Sequence, residues 1–312
     1  MQSRTERPDA VVDAPKGNWV DSLAPPAWRP WLRLSRADRP IGTWLLLLPC
    51  WWGIGLAMMA DAPRWFDLWI AIACGIGAFV MRGAGCTWND ITDRHIDGSV
   101  ARTRSRPIPS GQVTVQGAMI WAVIQALVGF AILLTLGTAA IWLGVASLVL
   151  VAIYPFAKRF TWWPQLFLGL AFNWGVMLAY AAHTGRLDAA PVIAWFGGIA
   201  WTIFYDTIYA HQDAVDDALI GVKSTARLFG QNSPRILAGF AVLTIVLLGV
   251  AIAASPGPRG IALAGLALFA AHLAWQLTRL DITDGALCRR LFLSNRDAGL
   301  ILALFLAVQG AL

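Results

Sequence analysis

The chain carries two groups of acidic residues, each at the end of an apolar segment. Only 18 residues of the chain are acidic, and seven of them belong to these groups. The first group consists of Asn89, Asp90, Asp93 and Asp97, and the second of Asp206, Asp213, Asp216 and Asp217. Carboxylates are costly inside a membrane and usually bind ions or do chemistry there. Both groups are therefore predicted to bind cations.

The first group has the spacing of a metal-binding stripe on a helix. Asn89, Asp93 and Asp97 follow one another at intervals of four residues, and Asp90 flanks the same face. Oxygen ligands of this kind suit Mg²⁺, which proteins hold with a few carboxylates and the phosphates of a substrate. The alternative is that these carboxylates cap helices or pair with nearby arginines.

The second group repeats this pattern. Asp206, Asp213 and Asp217 fall on one helical face, with Asp216 at its border. Neither group contains the histidine and cysteine set that zinc requires, because His95 and His211 point away from the stripes, and the four cysteines lack ligand spacing. Two similar groups favour a pair of Mg²⁺ sites.

Basic residues accompany both groups. They are Arg94, Arg102, Arg104, Arg106, Lys158 and Lys223. Bound Mg²⁺ and these cations together would hold a diphosphate.

Arg82 lies seven residues before Asn89, inside an apolar segment. A buried arginine needs an anionic partner. That partner is either an aspartate of the first group or the carboxylate of a substrate.

Composition indicates the elements that position these residues. The chain is 58% hydrophobic and 13% charged, with a mean hydropathy of +0.61, whereas soluble proteins carry about 25% charged residues. An all-α, polytopic membrane protein is predicted. Its nine predicted spans lie near 41–59, 66–89, 115–136, 139–156, 164–182, 191–210, 235–254, 261–280 and 297–312. The last of these spans is short.

The basic residues also predict the orientation. If the N-terminus is cytoplasmic, 17 of the basic residues assigned to flanks and loops lie inside and three outside. Both acidic groups then emerge on the cytoplasmic side, which suggests a shared mouth. Residues 1–30 are predicted to be a polar, disordered cytoplasmic tail and 31–312 one transmembrane domain. A multi-pass protein of the bacterial inner membrane is expected, and nothing indicates nucleic-acid binding.

Five motifs, taken in order, resemble the UbiA superfamily of intramembrane prenyltransferases, and within it the members that act on 4-hydroxybenzoate. The first is the opening helix signature at 36–44, and the second is NDxxDxxxD at 89–97. A basic loop at 102–111 and YPxxKR at 154–159 follow. The fifth is DTxYA at 206–210, followed by DxxxD at 213–217.

This resemblance implies about nine helices around a central cavity that is open to lipid. It implies Mg²⁺-dependent transfer of a polyprenyl group from its diphosphate to the 3-position of 4-hydroxybenzoate, in ubiquinone biosynthesis. The catalytic residues would be Asp93, Asp97, Asp213 and Asp217, and Asn89 and Asp90 would join them as metal ligands. The diphosphate would contact Arg36, Arg102, Arg106, Lys158 and Lys223. The acceptor would contact Arg82, Asn89 and Tyr154, with Asp206 and Tyr209 as additional site residues.

Two alternatives stay open. One is a prenyltransferase of the same superfamily with a different acceptor, such as homogentisate, a naphthoate or haem. The other is a cation-coupled transporter, although transporters place their carboxylates near the bilayer midplane and show inverted repeats. The acidic residues here gather at the ends of segments, which favours an enzyme.

Overall fold

Helices make up the regular structure of the described chain. The computed structural model describes residue 15 and residues 17–99, 103–219 and 221–312, except for the side chains of residues 215–217. Within these residues there is no strand, and the predicted all-α class is confirmed. The α-helices are α1 (Trp19–Ser22), α2 (Arg29–Leu34), α3 (Ile41–Ala60), α4 (Phe66–Ser99), α5 (Val115–Leu133), α6 (Thr138–Ile153), α7 (Ala157–Phe160), α8 (Pro164–Phe172), α9 (Gly175–Thr184), α10 (Ala189–Ala210), α11 (Ala214–Leu219), α12 (Thr225–Phe229), α13 (Ser233–Ala254), α14 (Gly260–Arg279) and α15 (Gly285–Ala311).

Eight helical stretches of the described chain are long and apolar enough to cross a membrane. They agree with eight of the nine predicted spans, so the chain is a multi-pass membrane protein. The remaining prediction, 191–210, corresponds to α10, which has 22 residues. α10 has the length of a span, but its glycines, threonines and Asp206 make it less apolar than the other eight.

Two helices are longer than hydropathy predicts. α4 continues past residue 89 to Ser99, and α15 begins at Gly285 instead of near 297. Charged residues lower the hydropathy of both extensions without breaking either helix, because a helical backbone satisfies its own hydrogen bonds. Asp284 caps the start of α15 by accepting a hydrogen bond from Leu287 N at 2.9 Å. The short last span is therefore a wrong prediction, since α15 has 27 residues.

The predicted span 164–182 is broken in the middle. α8 ends at Phe172 and α9 starts at Gly175. Asn173 lies at the break, where its amide donates to Gly169 O at 2.9 Å and to Thr202 Oγ1 at 2.8 Å. Asparagine side chains compete with the helical backbone for such bonds, which is a physical reason for the interruption.

The described part of the N-terminal region contains a short, packed helix. The described residues of the predicted 1–30 tail include α1, and Val20 of α1 is fully buried beside Ala24 and Ala37. Arg33 pairs with Asp21 at 2.7 Å. Burial raises the pKa of Asp21, but hydrogen bonds from Arg33 and Asn18 outweigh this effect and leave the pKa below its usual value. Residues 1–14 of the predicted tail lie outside the described chain.

The chain divides into two compact units, which the sequence did not indicate. The first unit comprises the residues up to Thr43 together with Gly77–Ala131. Its apolar core joins Leu34 and Ile91 to Ile108 and Val113 of the loop that follows α4. This packing fixes α2, the end of α4 and the loop against one another.

The second unit comprises Trp44–Ile76 and Ile132–Leu312. Its centre is aromatic: the ring of Trp201 lies 5.0 Å from that of Trp52 and 5.7 Å from that of Phe269. α10 passes through this core and packs against α8, α13 and α15. The C-terminal end of α10, where the second acidic group begins, is thus held by three neighbouring helices.

Candidate active site

The first acidic group lies on the last turns of α4 and is almost completely buried. Asp90 and Asp93 are 0% exposed and Asp97 is 6% exposed. Asn89 is half-buried, and His95 is exposed, as its position off the stripe predicts. The buried face therefore runs through Asp90, Asp93 and Asp97, with Asn89 at its edge.

Two arginines that were predicted to contact diphosphate pair with this face. Arg36 Nη2 lies 2.5 Å from Asp90 Oδ1. Arg106 Nη1 lies 2.8 Å from Asp97 Oδ2 and 3.5 Å from Asp90 Oδ1. The alternative reading of the motif, in which carboxylates pair with arginines, is thus realised for Asp90 and Asp97. These ion pairs balance the buried negative charges of Asp90 and Asp97.

The second oxygen of the Asp90 carboxylate is free. Asp90 Oδ2 is buried and has no hydrogen-bond partner, although Oδ1 contacts two arginines. Buried polar atoms rarely lack a partner, and unsatisfied ones often mark a functional site. An oxygen donor of this kind matches the preference of Mg²⁺.

The carboxylates do not form a complete metal cage. No group of three or more acidic, histidine or cysteine residues in the described part of the chain is arranged to hold a metal ion. Mg²⁺ normally keeps several waters and binds one or two carboxylates together with substrate phosphates. The donor set therefore fits a Mg²⁺ that arrives with a phosphorylated ligand.

The basic loop after α4 folds back onto the end of that helix. Thr103 Oγ1 donates to the carbonyl of Asp97 at 2.9 Å, and Arg106 N donates to Thr103 O at 2.9 Å. These bonds hold the Arg106 guanidinium over Asp97. Arg102, another predicted diphosphate contact, lies outside the described residues. Arg104 is exposed.

Arg82 lies deeper along α4 and is held by a backbone carbonyl. Its Nη1 donates to Arg36 O at 2.9 Å. A Cβ at Gly42 would overlap the Arg82 guanidinium, which would then have to shift from its present position. Among the described residues no carboxylate pairs with Arg82, so the first of the two alternatives, an ion pair with an aspartate of the first group, is not formed there. The charge of this half-buried arginine is left for another anion.

The second acidic group begins on α10 of the second unit. Asp206 is half-buried and contacts the side chain of Gln165. Gln165 Oε1 in turn accepts a hydrogen bond from Thr225 N at 3.1 Å. Thr207 Oγ1 lies 2.6 Å from Thr225 Oγ1, which gives a second link between the end of α10 and the start of α12.

The remaining members of this group follow α10. Asp213 is half-buried on a 3₁₀ turn at His211–Asp213. Asp217 belongs to α11, and its side chain lies outside those described. The Tyr209 ring packs 4.4 Å from the ring of Phe292. His211 Nε2 contacts Ser233 Oγ at 2.9 Å, in agreement with a structural role, and burial lowers its pKa.

The structure brings two predicted lysines together in the second unit. Lys223 N donates to the carbonyl of Lys158 at 3.3 Å. Lys223 Nζ lies 3.4 Å from Phe160 O and 6.0 Å from the ring of Trp162. Tyr154 is half-buried on the 3₁₀ turn Tyr154–Phe156, just before α7 carries Lys158. The YPxxKR element and the segment at Lys223 thus form one basic region.

Sequence reasoning missed the glutamines that support these residues. Gln165 contacts Asp206, and Gln125 of α5 accepts a hydrogen bond from Ser35 Oγ at 2.9 Å. Both glutamines are buried. Each is an isolated amide in an otherwise apolar segment, which is a signal that a search for charged residues does not detect.

Comparison with protein families gives one match over most of the chain. The model of the UbiA prenyltransferase family matches residues 46–306. The 4-hydroxybenzoate polyprenyltransferase, mitochondrial, of Rattus norvegicus is 47% identical over 286 residues, which cover 91% of this chain and 76% of the relative.

Solved structures share the fold. A UbiA homolog from Aeropyrum pernix K1 in its apo form superposes with a TM-score of 0.71 at 23% identity, covering 84% of this chain and 97% of that chain. A UbiA homolog from Archaeoglobus fulgidus bound to DMAPP and Mg²⁺ superposes with a TM-score of 0.68 at 19% identity, covering 89% and 97%. At these identities the likeness concerns the fold.

Proposed function

Because the chain belongs to the UbiA prenyltransferase family, we propose that it transfers a polyprenyl group from a polyprenyl diphosphate to the 3-position of 4-hydroxybenzoate. Diphosphate is released, and the product enters ubiquinone biosynthesis. The name of the Rattus norvegicus relative supports this acceptor, since the two chains are 47% identical over 286 residues. Within the site, the supporting observation is the buried carboxylate face of α4 with Arg36 and Arg106 bound to it.

The carboxylate face is the proposed metal side of the diphosphate site. Mg²⁺ would be held by Asp90, Asp93 and Asp97, with Asn89 at the edge of the same face. The free, buried Asp90 Oδ2 supports this assignment. When bound, Mg²⁺ stabilises the negative charge that develops on the departing diphosphate. The Archaeoglobus fulgidus homolog is described as bound to DMAPP and Mg²⁺, in accord with such a site in this fold.

The second acidic group and its basic region are also proposed to bind diphosphate. Asp213 and Asp217 would be the further metal ligands, and Asp206 and Tyr209 would support them. Lys158 and Lys223 would contact phosphate oxygens, a role also proposed for Arg36, Arg102 and Arg106. A diphosphate carries several negative charges, and cations around it favour both binding and departure as a leaving group. Asp93, Asp97, Asp213 and Asp217 are therefore the residues on which transfer is proposed to depend.

Arg82 is the proposed site for the acceptor carboxylate. Asn89 and Tyr154 are also proposed to contact the acceptor. A guanidinium binds a carboxylate through two parallel hydrogen bonds. Arg82 has no carboxylate partner among the described residues and donates to a backbone carbonyl through Nη1. The acceptor would complete its charge balance.

The reaction itself exchanges one bond for another. The allylic C–O bond of the donor breaks, and its electron pair leaves on the diphosphate. The ring carbon ortho to the phenol forms the new C–C bond to the prenyl carbon. The ring then loses the proton from that carbon, which restores aromaticity. An apolar surrounding keeps water away from the allylic cation.

The membrane orientation belongs to the same proposal. Positive-inside counting favours a cytoplasmic N-terminus and cytoplasmic acidic groups, and the proposed membrane is the bacterial inner membrane. The named relative is mitochondrial and does not support this compartment. Cysteine labelling of loops in intact cells would test the orientation, and fractionation of the source cells would test the compartment.

The experiment for the reaction is an assay of membranes that contain the protein. 4-Hydroxybenzoate is supplied with prenyl diphosphates of increasing chain length, and products are identified by mass spectrometry. Parallel reactions contain homogentisate, a dihydroxynaphthoate or haem as acceptor. A 3-polyprenyl-4-hydroxybenzoate product is expected. Prenylation of another acceptor alone would overturn the proposed substrate.

A further inference from the structure

Arg36 has an unusual backbone for a residue with a side chain. Its φ is 54°, and among the described residues it is the only non-glycine residue with a left-handed backbone. It follows α2, where Arg36 N donates to Arg33 O at 3.1 Å and Ala37 N donates to Leu32 O at 2.9 Å. This pair of bonds is the Schellman arrangement that ends many helices, and glycine normally occupies this position. Arginine is retained here at a cost in local conformational energy.

The two ends of Arg36 contact different parts of the candidate site. Its carbonyl accepts the hydrogen bond from Arg82 Nη1 at 2.9 Å. Its guanidinium lies 2.5 Å from Asp90 Oδ1 and also donates to Arg33 O at 3.0 Å. One residue therefore joins the arginine proposed for the acceptor to a carboxylate proposed for the metal.

A buried polar network fixes the residue before Arg36. Ser35 Oγ donates to Gln125 Oε1 at 2.9 Å and accepts from Trp121 Nε1 at 2.9 Å. Ser35 is 4% exposed and Gln125 is 7% exposed. Gly83 is needed beside them, since a side chain there would overlap Gln125 Oε1. The network anchors the turn that carries Arg36 to α5.

We propose that Arg36, besides its proposed contact with the diphosphate, positions two other residues of the site. Its left-handed backbone directs the carbonyl that orients Arg82 for the acceptor, and its guanidinium orients Asp90 for the diphosphate. Ser35 and Gln125 hold the turn in place. This inference rests on the proposed function, because it uses Arg82 as the acceptor site and Asp90 as part of the diphosphate site.

Two substitutions separate the backbone role from the side-chain role. Arg36→Gly and Arg36→Ala both remove the guanidinium from Asp90, but only glycine adopts the left-handed conformation readily. Both variants are expected to raise the KM for prenyl diphosphate. The KM for 4-hydroxybenzoate is expected to stay near the wild-type value in Arg36→Gly and to rise about fivefold in Arg36→Ala. A purely structural role would lower the yield of folded protein without this division between the two KM values.

Gln125 provides an independent test. Gln125→Leu removes the anchor of Ser35 and is expected to raise the KM for 4-hydroxybenzoate more than the KM for the diphosphate. The matched control is Gln309→Leu, which removes another buried glutamine, one that accepts from Ile261 N at 2.9 Å in the second unit. The control is expected to leave the ratio of the two KM values unchanged.

The outcomes are distinct. Equal KM values for 4-hydroxybenzoate in Arg36→Gly and Arg36→Ala would overturn the backbone role. An unchanged KM for the diphosphate in both would overturn the side-chain role. In either case, wild-type transfer to 4-hydroxybenzoate in the same membranes would leave the proposed function intact. Absence of wild-type transfer would remove the proposed function and this inference together.

Discussion

The guanidinium of Arg106 lies 2.8 Å from the carboxylate of Asp97, although nine residues separate the two along the chain. Asp97 is near the end of α4, and Arg106 is on the loop that turns back over it. Thr103 secures this turn through its bond to the Asp97 carbonyl at 2.9 Å. The basic loop is therefore built onto the acidic stripe and is not an independent binding segment.

Substitution of Arg106 by Gln is expected to impair diphosphate binding. It leaves the buried Asp97 without its cation and removes a charge from the proposed phosphate site. Hydrogen bonds to charged groups are worth about 1.5–3 kcal/mol, so the KM for prenyl diphosphate is expected to rise by about tenfold or more. Steady-state assays with saturating 4-hydroxybenzoate measure this change. Arg106→Lys should retain part of the effect, and an unchanged KM in Arg106→Gln would contradict the assignment.

Asp93→Ala and Asp213→Ala are expected to abolish transfer while leaving a folded, membrane-inserted protein. Each removes a carboxylate proposed to hold a metal, one from each acidic group. Product formation and monodispersity in detergent are measured together. Asp297→Ala is the matched control, because its carboxylate is 52% exposed and pairs with its neighbour Arg296. Full activity of either first variant would exclude that carboxylate from the metal site.

Removal of divalent metal is expected to stop the reaction. Treatment with EDTA should abolish transfer, and excess Mg²⁺ should restore it, because buried carboxylates repel a diphosphate unless a divalent cation lies between them. The rate is measured against free Mg²⁺ concentration. Transfer at the full rate in EDTA would mean that the arginines and lysines alone stabilise the leaving group.

The sequence was sufficient for the helices but less so for their ends. Hydropathy stopped the second span near residue 89, because Asp90, Asp93 and Asp97 are polar. The backbone of α4 nevertheless continues to Ser99, since these carboxylates are buried and two of them are paired with arginines. An ion pair made with a distant residue cannot be read from local composition.

The candidate site was predicted in its residue types but not in its contacts. The spacing predicted a stripe through Asn89, Asp93 and Asp97 with Asp90 at its flank, whereas the buried face runs through Asp90, Asp93 and Asp97 with Asn89 at its edge. The spacing did not predict that Arg36 and Arg106 would bind the carboxylates, nor that Arg82 would bind a backbone carbonyl. These contacts depend on the left-handed turn at Arg36 and on the folded-back loop. Neither the turn nor the loop has a strong local signal in the sequence. At the turn, glycine would be the usual residue, and an arginine stands there instead.

Arg82→Ala is expected to raise the KM for 4-hydroxybenzoate much more than the KM for prenyl diphosphate. Loss of a charged, bidentate contact with a carboxylate is worth a few kcal/mol, or about a hundredfold. The matched acceptor is 4-hydroxybenzamide, which lacks the negative charge. The wild-type enzyme should prefer 4-hydroxybenzoate to the amide, and Arg82→Ala should lose this preference. Equal effects on both KM values, or an unchanged preference, would argue against Arg82 as the acceptor site.

The last prediction concerns a buried pair in the second unit. Asp67 lies in the first turn of α4, far in sequence from the acidic group at the other end of that helix, and His183 lies in the last turn of α9. His183 Nδ1 lies 2.5 Å from Asp67 Oδ1, and Asp67 Oδ2 accepts from Arg64 N at 2.7 Å. The His183 side chain is 0% exposed, and its Nε2 has no hydrogen-bond partner. Asp67→Ala would leave both ring nitrogens of the buried His183 without a hydrogen-bond partner.

This change is expected to lower the free energy of unfolding by about 1–3 kcal/mol, the usual effect of an unsatisfied buried polar group. His183→Leu should destabilise by a similar amount, because Asp67 keeps its bond to Arg64 N but its buried Oδ1 loses its partner. Thermal unfolding in detergent measures both. Arg186→Ala is the control, since its ion pairs with Asp61 and Asp188 are largely exposed and such pairs contribute little.

Transfer per folded molecule should be unchanged in all three variants, because the pair connects the ends of two helices and contacts none of the residues proposed for catalysis. A selective loss of turnover in folded Asp67→Ala protein would instead give the pair a part in the reaction.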